Sequence, residues 1–557
     1  MTAPHQNLLG TSGAADTEET DAEFNQTVLL LHGDGTNGGQ NNTFVDSSTS
    51  GHTITRNGDA TQGTFNPFLG DGYYSTLFDG SANLQKTTSP FATNLSTFTI
   101  EAWIYMTSDP TGSSSHSGLV GMNVLTDHNN HLSWGPTTNR KLQLFWYTSG
   151  NYTCTGSTTL DLNRWYFISL VVNSNAISMQ VDGVAETLTG TTTLTNRTSL
   201  HNFIIGANGQ TQFIGYTTNI RISDNARTIT VPSTPLTEDS NTLFLYCGDN
   251  RLKDPADGTE SISFDSFGGE VIPFSPYAPT ASYSELVHGG SAYFDGTGDY
   301  LTTSSSSDFQ FGTGAYTVEL WVYPFTKTGS IGILYTFSST NFGISIWRDG
   351  SILYLEERKT NFTDGVTRLS TSTLLLESWN HIALSRDSTS GTLRGFLNGV
   401  QFSSTTTSLR DIQGNVVNIG TNGATSDFFG YISSVKLTNS NLYTGTFTLP
   451  SAPSTSDANT KLLTNFTNAS IIDNSIKNNL ITGGNTQIDT SVKKFDTGSI
   501  EFDGVAGSTL KIPYSPTLNV GTGDFTIEFF VYFTSAPALP PIVTGKLNTT
   551  SIKLFNR

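Results

Sequence analysis

TFTIEAWIYM (residues 97–106), AYTVELWVYP (315–324) and DFTIEFFVYF (524–533) are nearly one string written three times. In an extended chain alternate side chains share a face. Phe98, Ile100, Ala102 and Ile104 then form a wholly apolar face, and Thr99, Glu101, Trp103 and Tyr105 form the other. The second copy repeats the pattern with Thr317, Glu319, Trp321 and Tyr323, and the third with Thr526, Glu528, Phe530 and Tyr532. The glutamate therefore does not interrupt a core. It is expected on the outer face of a sheet, in a row with large aromatic side chains.

Other landmarks recur in the same order around these strings. LLLHGDG from Leu29 matches LFLYCGDN from Leu243 and, more loosely, KLLTNFTN from Lys461. Phe-Asp-Gly recurs with its aspartate at Asp79, Asp295 and Asp503, about 20 residues before each glutamate. Trp165 and Trp379 precede apolar runs, and Asp182-Gly183 and Asn398-Gly399 follow them. FIIG at 203–206 matches VNIG at 417–420, and FIGYTTNIRISDNA from Phe213 matches FFGYISSVKLTNSN from Phe428. A repeat of about 200 residues is a tandem array of whole domains, since solenoid repeats are far shorter. PSTPLTEDS from Pro232 and PSAPSTSDAN from Pro450 read as exposed joints between domains. The expected organisation is a polar arm at 1–25, sandwiches at 26–236 and 237–452, and the N-terminal part of a third at 453–557. The third copy stops before its tryptophan landmark, and a polypeptide continuing past Arg557 is the favoured expectation.

Short alternating runs bounded by Gly, Asn and Asp predict antiparallel strands, and no stretch has a period of 3.6. The fold class is all-β: tandem antiparallel two-sheet jelly-roll sandwiches, the third incomplete. The 557 residues carry 27 Lys and Arg against 46 Asp and Glu, a net charge of −19. That balance, with no basic stripe, argues against nucleic-acid binding. Two lone cysteines, Cys154 and Cys247, exclude a disulfide framework and argue against zinc. No apolar run reaches membrane-spanning length, and the first residues lack the charge and apolar pattern of a signal peptide.

The ordered set of motifs resembles the LamG-like modules of the concanavalin A-like lectin/glucanase superfamily. The tail Lys436–Pro450, weaker at Arg221–Pro232, is similar to the variant common in phage virion and tail proteins. The resemblance implies a non-enzymatic virion component, a fibre, tail appendage or decoration, displaying its modules to host-surface polysaccharide. It also implies docking to other virion proteins through the arm and a homo-oligomer, trimers being frequent in such fibres. A bacterial surface adhesin or carbohydrate-binding multidomain protein is the alternative, and a glycoside hydrolase the third reading. Retaining hydrolysis needs two carboxyls about 5–5.5 Å apart, whereas the positions two after each glutamate are Trp103, Trp321 and Phe530. Glu101, Trp103, Tyr105, Glu319, Trp321 and Tyr323 are the sugar-contact candidates, by stacking and hydroxyl hydrogen bonds. The competing expectation is that a segment of the same domain covers this row and pairs the glutamate. Calcium at Asp79, Asp295 or Asp503 is implied by resemblance to LamG relatives, against the plainer reading of these as turn residues. Trp165, Trp379, His381 and His32 read as packing residues.

Overall fold

The structure is a computed structural model. It describes residues 29–555 apart from 66–72, 87–95, 113–117, 123–130, 196–202, 247–262, 265–268, 273–282, 360–366, 474–477, 513–517, 519–524, 535–540 and some shorter stretches. The arm at 1–25, His32 and Cys247 lie outside the described residues. The chain forms two compact units, 42–468 and a second made of 1–41 with 469–557.

Unit 42–468 contains two antiparallel sandwiches. In the first, one sheet is centred on Phe98–Met106, flanked by Trp165–Asn173 and Ile214–Ser223. The opposing sheet runs through Val120–Met122, Leu132–Pro136, Leu142–Tyr147 and Asn151–Thr155. The second sandwich repeats this plan. Tyr316–Pro324 lies between Asn380–Arg386 and Phe429–Thr438, opposite a sheet containing Ser330–Phe337, Gly343–Asp349, Ile352–Arg358 and Thr367–Thr371. The inward face of each central strand is apolar as expected: Phe98, Ile100, Ala102 and Ile104 are fully buried, as are Val318, Leu320 and Val322. Asp182-Gly183 and Asn398-Gly399 close tight hairpins, each with positive φ at both residues (48° and 76°; 52° and 78°). This is the turn that follows the right-handed twist of its strands.

The strand pairing redraws the expected domain boundaries. Thr242–Tyr246 was expected to open the second domain, but it pairs with Ile214–Ser223 of the first sandwich. Thr460–Thr464 likewise pairs with Phe429–Thr438 of the second. The proline-containing stretches at 232–240 and 450–459 therefore lie inside sandwiches and join sheet neighbours. Moreover, the strands Ile54–Asn57 and Thr61–Gly63 join the second sandwich, one in each sheet, pairing with Tyr300–Thr303 and Ser291–Asp295. The corresponding strands Ser263–Phe264 and Gly269–Ile272 join the first, again one in each sheet, on Leu84–Lys86 and Ser75–Asp79. In the third copy Ile481–Gly483 and Gln487–Asp489 pair within their own repeat. The register is the same each time, with Gly63 opposite Ser291, Ile272 opposite Ser75 and Asp489 opposite Ser499. Those serines all lie four residues before the aspartate of Phe-Asp-Gly. Main-chain hydrogen bonds hold an added strand largely without regard to its side chains, so repeats can exchange strands.

In the other unit Leu29 and Leu31 pack against Ile471, Leu480 and Ile488. Leu30 N–H donates to Asp473 Oδ1 at 2.9 Å. The third glutamate string departs from expectation. Residues 525–533 form no strand, and Phe530 and Tyr532 are 69% and 74% exposed. Its two counterparts are held by a neighbour on each side, and no described strand pairs with this one. Without those neighbours the backbone groups have no ladder to join.

Candidate functional site

The glutamate row is covered. In the second sandwich Thr317 Oγ1 donates to Ser440 O and accepts from Leu442 N–H, fixing the following segment across the strand. Tyr443 then donates its hydroxyl to Glu319 Oε2 at 2.5 Å, its ring stacked on Phe447 at 3.7 Å. His381 Nε2 stands 3.3 Å from the same oxygen. Burial acts to raise the Glu319 pKa, but His381, Tyr443 and Lys436 together hold it below the ordinary 4.5. Trp321 and Tyr323, each 1% exposed, pack with Trp379 and Tyr431. In the first sandwich Arg221 grips Glu101 Oε2 through Nε at 2.8 Å and Nη2 at 2.7 Å. Glu101 and Tyr105 are buried, and Trp103 is half-buried against Phe167. Five of the six sugar-contact candidates are thus buried, Glu319 and the threonines Thr99 and Thr317 being tied to the segment after the last strand, and Trp103 is half-buried.

The tyrosine at 443 was missed. Its only trace in the sequence is the YTGxF tail, which does not reveal that the tail folds back over the glutamate. Trp379 is fully buried and Trp165 half-buried beside Tyr105. The Cys154 thiol is buried, and burial pushes its pKa up to about 11, far from a reactive thiolate.

The Phe-Asp-Gly aspartates act as turn residues: Asp79 accepts from Ser81 N–H, Asp295 from Thr297 N–H and Asp503 from Val505 N–H. Asp295 also meets Asp59 and Asp299, with one oxygen of each within 4.8 Å of the others. Hard oxygens in such a group are of the type calcium takes. Desolvation, then the neighbouring Asp295 and Asp59, raises the Asp299 pKa to about 6, against N–H donors from Asp295 and Asp59. The folded state then binds this proton more tightly than the unfolded chain, whose value is 3.8. Its contribution makes stability rise as pH falls from 7 towards 5. Thermal melts of the wild type and Asp299→Asn should differ in slope across that window, with the flatter profile in the variant. Identical slopes would remove the assignment.

The opposing sheet of the second sandwich presents a different surface. Along Gly343–Asp349 and Ile352–Arg358, Ile344, Ile346, Leu353 and Leu355 point into the core. Alternation therefore sends Trp347, Tyr354, Glu356 and Arg358 outward. Trp347 lies directly across from Tyr354, and their half-buried rings stack at 4.1 Å and 14°. Arg368, across from Glu356 on the next strand, donates Nε to Glu356 Oε1 at 2.5 Å. Its guanidinium stands 5.1 Å from the Tyr354 ring and 5.6 Å from that of Trp347. Arg358 Nε approaches Glu356 Oε2 at 3.3 Å. Glu357, next in sequence, points inward to Arg386 and Tyr316. Adjacent carboxylates on opposite faces of one strand cannot share a substrate. The corresponding strands of the first sandwich place Ser133, Gln143 and Phe145 at their alternate positions. Among described residues, no helix is long and apolar enough to cross a membrane.

A family model described as the concanavalin A-like lectin/glucanases superfamily, of laminin-G type, matches residues 78–230 and 295–444, together more than half of the chain. No curated protein matches. Among solved structures, mouse laminin alpha1 chain domains LG4-5 are 10% identical, over 70% of this chain and 95% of theirs, with a TM-score of 0.25. The Ruminococcus gnavus IT-sialidase CBM40 is 15% identical over 24% of this chain and 80% of its own, TM-score 0.22. Domain 4 of AbnA, a GH43 extracellular arabinanase from Geobacillus stearothermophilus, solved with arabinotriose, is 19% identical over 30% and 78%, TM-score 0.24.

Proposed function

The chain belongs to the concanavalin A-like lectin/glucanases superfamily, and from that premise we propose that it is a non-enzymatic glycan-binding protein whose binding face is the outer sheet surface around Trp347 and Tyr354. The observation that carries this reading is the stacked, half-buried Trp347–Tyr354 pair beside the exposed Arg368. Aromatic side chains with one wet side offer sugar rings an apolar platform, and neighbouring charged groups take the hydroxyls. The buried glutamate row acts in the fold, tying the tail segment to the sheet. The finer reading is a phage fibre, tail appendage or decoration protein that meets host-surface polysaccharide. It rests on the similarity of the tail Lys436–Pro450 to virion-type modules.

A glycan array with the full chain tests the binding reading. Trp347→Ala should weaken any retained glycan by about tenfold or more, the loss of one aromatic contact in a binding centre. Glu101→Gln should leave binding unchanged. Retention that Glu101→Gln abolishes and Trp347→Ala does not would return the site to the glutamate row. Release of reducing sugar from a bound polysaccharide would overturn the non-enzymatic reading. Mass spectrometry of purified virions, or its failure to find the chain there, decides the virion context.

A further inference from the structure

We propose that copies of this chain exchange residues 52–65, the segment of one copy completing the second sandwich of another. The partner is a second copy, and the surface it meets is the pair of sheet edges at Tyr300–Thr303 and Ser291–Asp295.

Within one chain the exchange between repeats is already made, and it reproduces an unexchanged join contact by contact. In the third repeat Ile481–Gly483 and Gln487–Asp489 pair with Thr509–Lys511 and Ser499–Glu501 of that same repeat. Residues 54–63 make the same join with a different repeat. Asn57 lies opposite Tyr300 as Gly483 lies opposite Thr509, and Gly63 lies opposite Ser291 as Asp489 lies opposite Ser499. Between the two strands stands a glycine with positive φ, Gly58 at 69° and Gly484 at 59°. A Cβ there would come within 2.7 Å of Gly298 O or 2.9 Å of Gly507 O. The next amide is held in the same way. Asp59 N–H donates to Asp299 Oδ1 at 2.6 Å, and Asn485 N–H to Ser508 Oγ at 3.2 Å. The leucine landmarks cross over too. Leu463 N–H of the third repeat donates to Asp46 of the first, and Leu30 N–H of the first donates to Asp473 of the third, each at 2.9 Å. The join therefore does not distinguish a donor of its own repeat from that of another.

Ile54–Asn57 and Thr61–Gly63 each stand at the edge of their sheet. An edge strand leaves without breaking the ladders behind it, and the bared edge pairs with any strand of suitable register. What ties 52–65 to its own copy is the chain on either side of it. Residues 64–74 lead from it to Ser75 of the first sandwich. A tether of this kind holds a segment at a local concentration on the order of millimolar. Lone copies in dilute solution therefore close on themselves, and copies folding side by side trade segments. Trp347 and Tyr354 lie toward the opposite edge of the sheet that holds Ile54–Asn57. The exchange thus joins copies without occupying that pair, and the joined copies carry it more than once.

The test uses the full chain in a Cys247→Ser background, Cys154 being buried with its thiol pushed up to about 11. The exposed Thr55 lies directly opposite Thr302, a spacing that a disulfide spans. Thr55→Cys and Thr302→Cys chains, each with its own affinity tag, are expressed together, oxidised after lysis and run on a non-reducing gel. The pair should give a cross-linked dimer that neither variant gives alone. A tenfold higher expression level should raise the dimer's share about tenfold, because the tether's local concentration is the competitor. The double variant should cross-link within one chain when dilute and between chains when concentrated. Melting curves confirm that each variant is folded. A co-expressed pair that yields no more dimer than either variant alone overturns the inference, as does a double variant that cross-links only within one chain at every concentration. Cross-linking of Thr55→Cys to Lys86→Cys within one chain overturns it too. Lys86 lies seven residues after Asp79, as Thr302 lies after Asp295, so that cross-link would place the segment on its own repeat.

Discussion

Deleting residues 52–65 will unfold the second sandwich and leave the first, its nearer neighbour in sequence, folded. The segment supplies Ile54–Asn57 and Thr61–Gly63 to the two sheets of the second sandwich. Ala60 belongs to that sandwich's core, with Ile54 packed on it. Phe65 sits 5.3 Å from Trp379, 5.2 Å from Tyr323 and 4.8 Å from Tyr431. Removing two strands and a half-buried phenylalanine costs on the order of 5 kcal/mol or more. That is comparable with the whole stability of an ordinary domain. Hydrogen exchange should show amides in 291–464 losing protection while those in 98–246 keep it. Loss of protection at 75–79 and 84–86 instead would mean that these strands serve their own repeat. The converse deletion, 263–272, should strike the first sandwich.

The second large effect is expected at Arg386. This arginine is wholly buried. It donates to Glu357 Oε1 at 2.9 Å and to the carbonyls of Gly312, Gly314 and Arg410, with its guanidinium 4.6 Å from the Tyr316 ring. Arg386→Met strands the Glu357 carboxylate in the core, with the Tyr316 hydroxyl still donating to it at 2.8 Å. Breaking a buried pair from one side costs about 3–5 kcal/mol. For a module of this size that lowers the melting temperature by roughly 10 °C. Adding Glu357→Gln should recover part of the loss, because no buried charge is then left over. If the double variant is as unstable as the single, the cost lies in the carbonyl contacts and not in the stranded charge.

Much of the fold was legible because period-2 alternation reports burial directly. Phe98, Ile100, Ala102 and Ile104 had to face a core, and the Asp182-Gly183 and Asn398-Gly399 pairs had to turn. The fate of the outer row was not legible. Alternation says that Glu319 leaves the core face, but not whether solvent or another segment waits there. Tyr443 lies 124 residues away, and its meeting with Glu319 depends on how the tail crosses the sheet. The Trp347–Tyr354 face was overlooked for a related reason. Neither residue recurs between repeats, so no shared landmark marks them in the sequence.

Side-chain order by itself determined that this protein is built of repeated antiparallel sandwiches, because local alternation and turn chemistry act within a few residues. Tertiary structure alone decided which strands complete which sandwich and which outward-facing side chains another segment covers. Main-chain ladders accept any strand of suitable register, and coverage depends on segments far away in the chain. Neither leaves a mark on the local pattern.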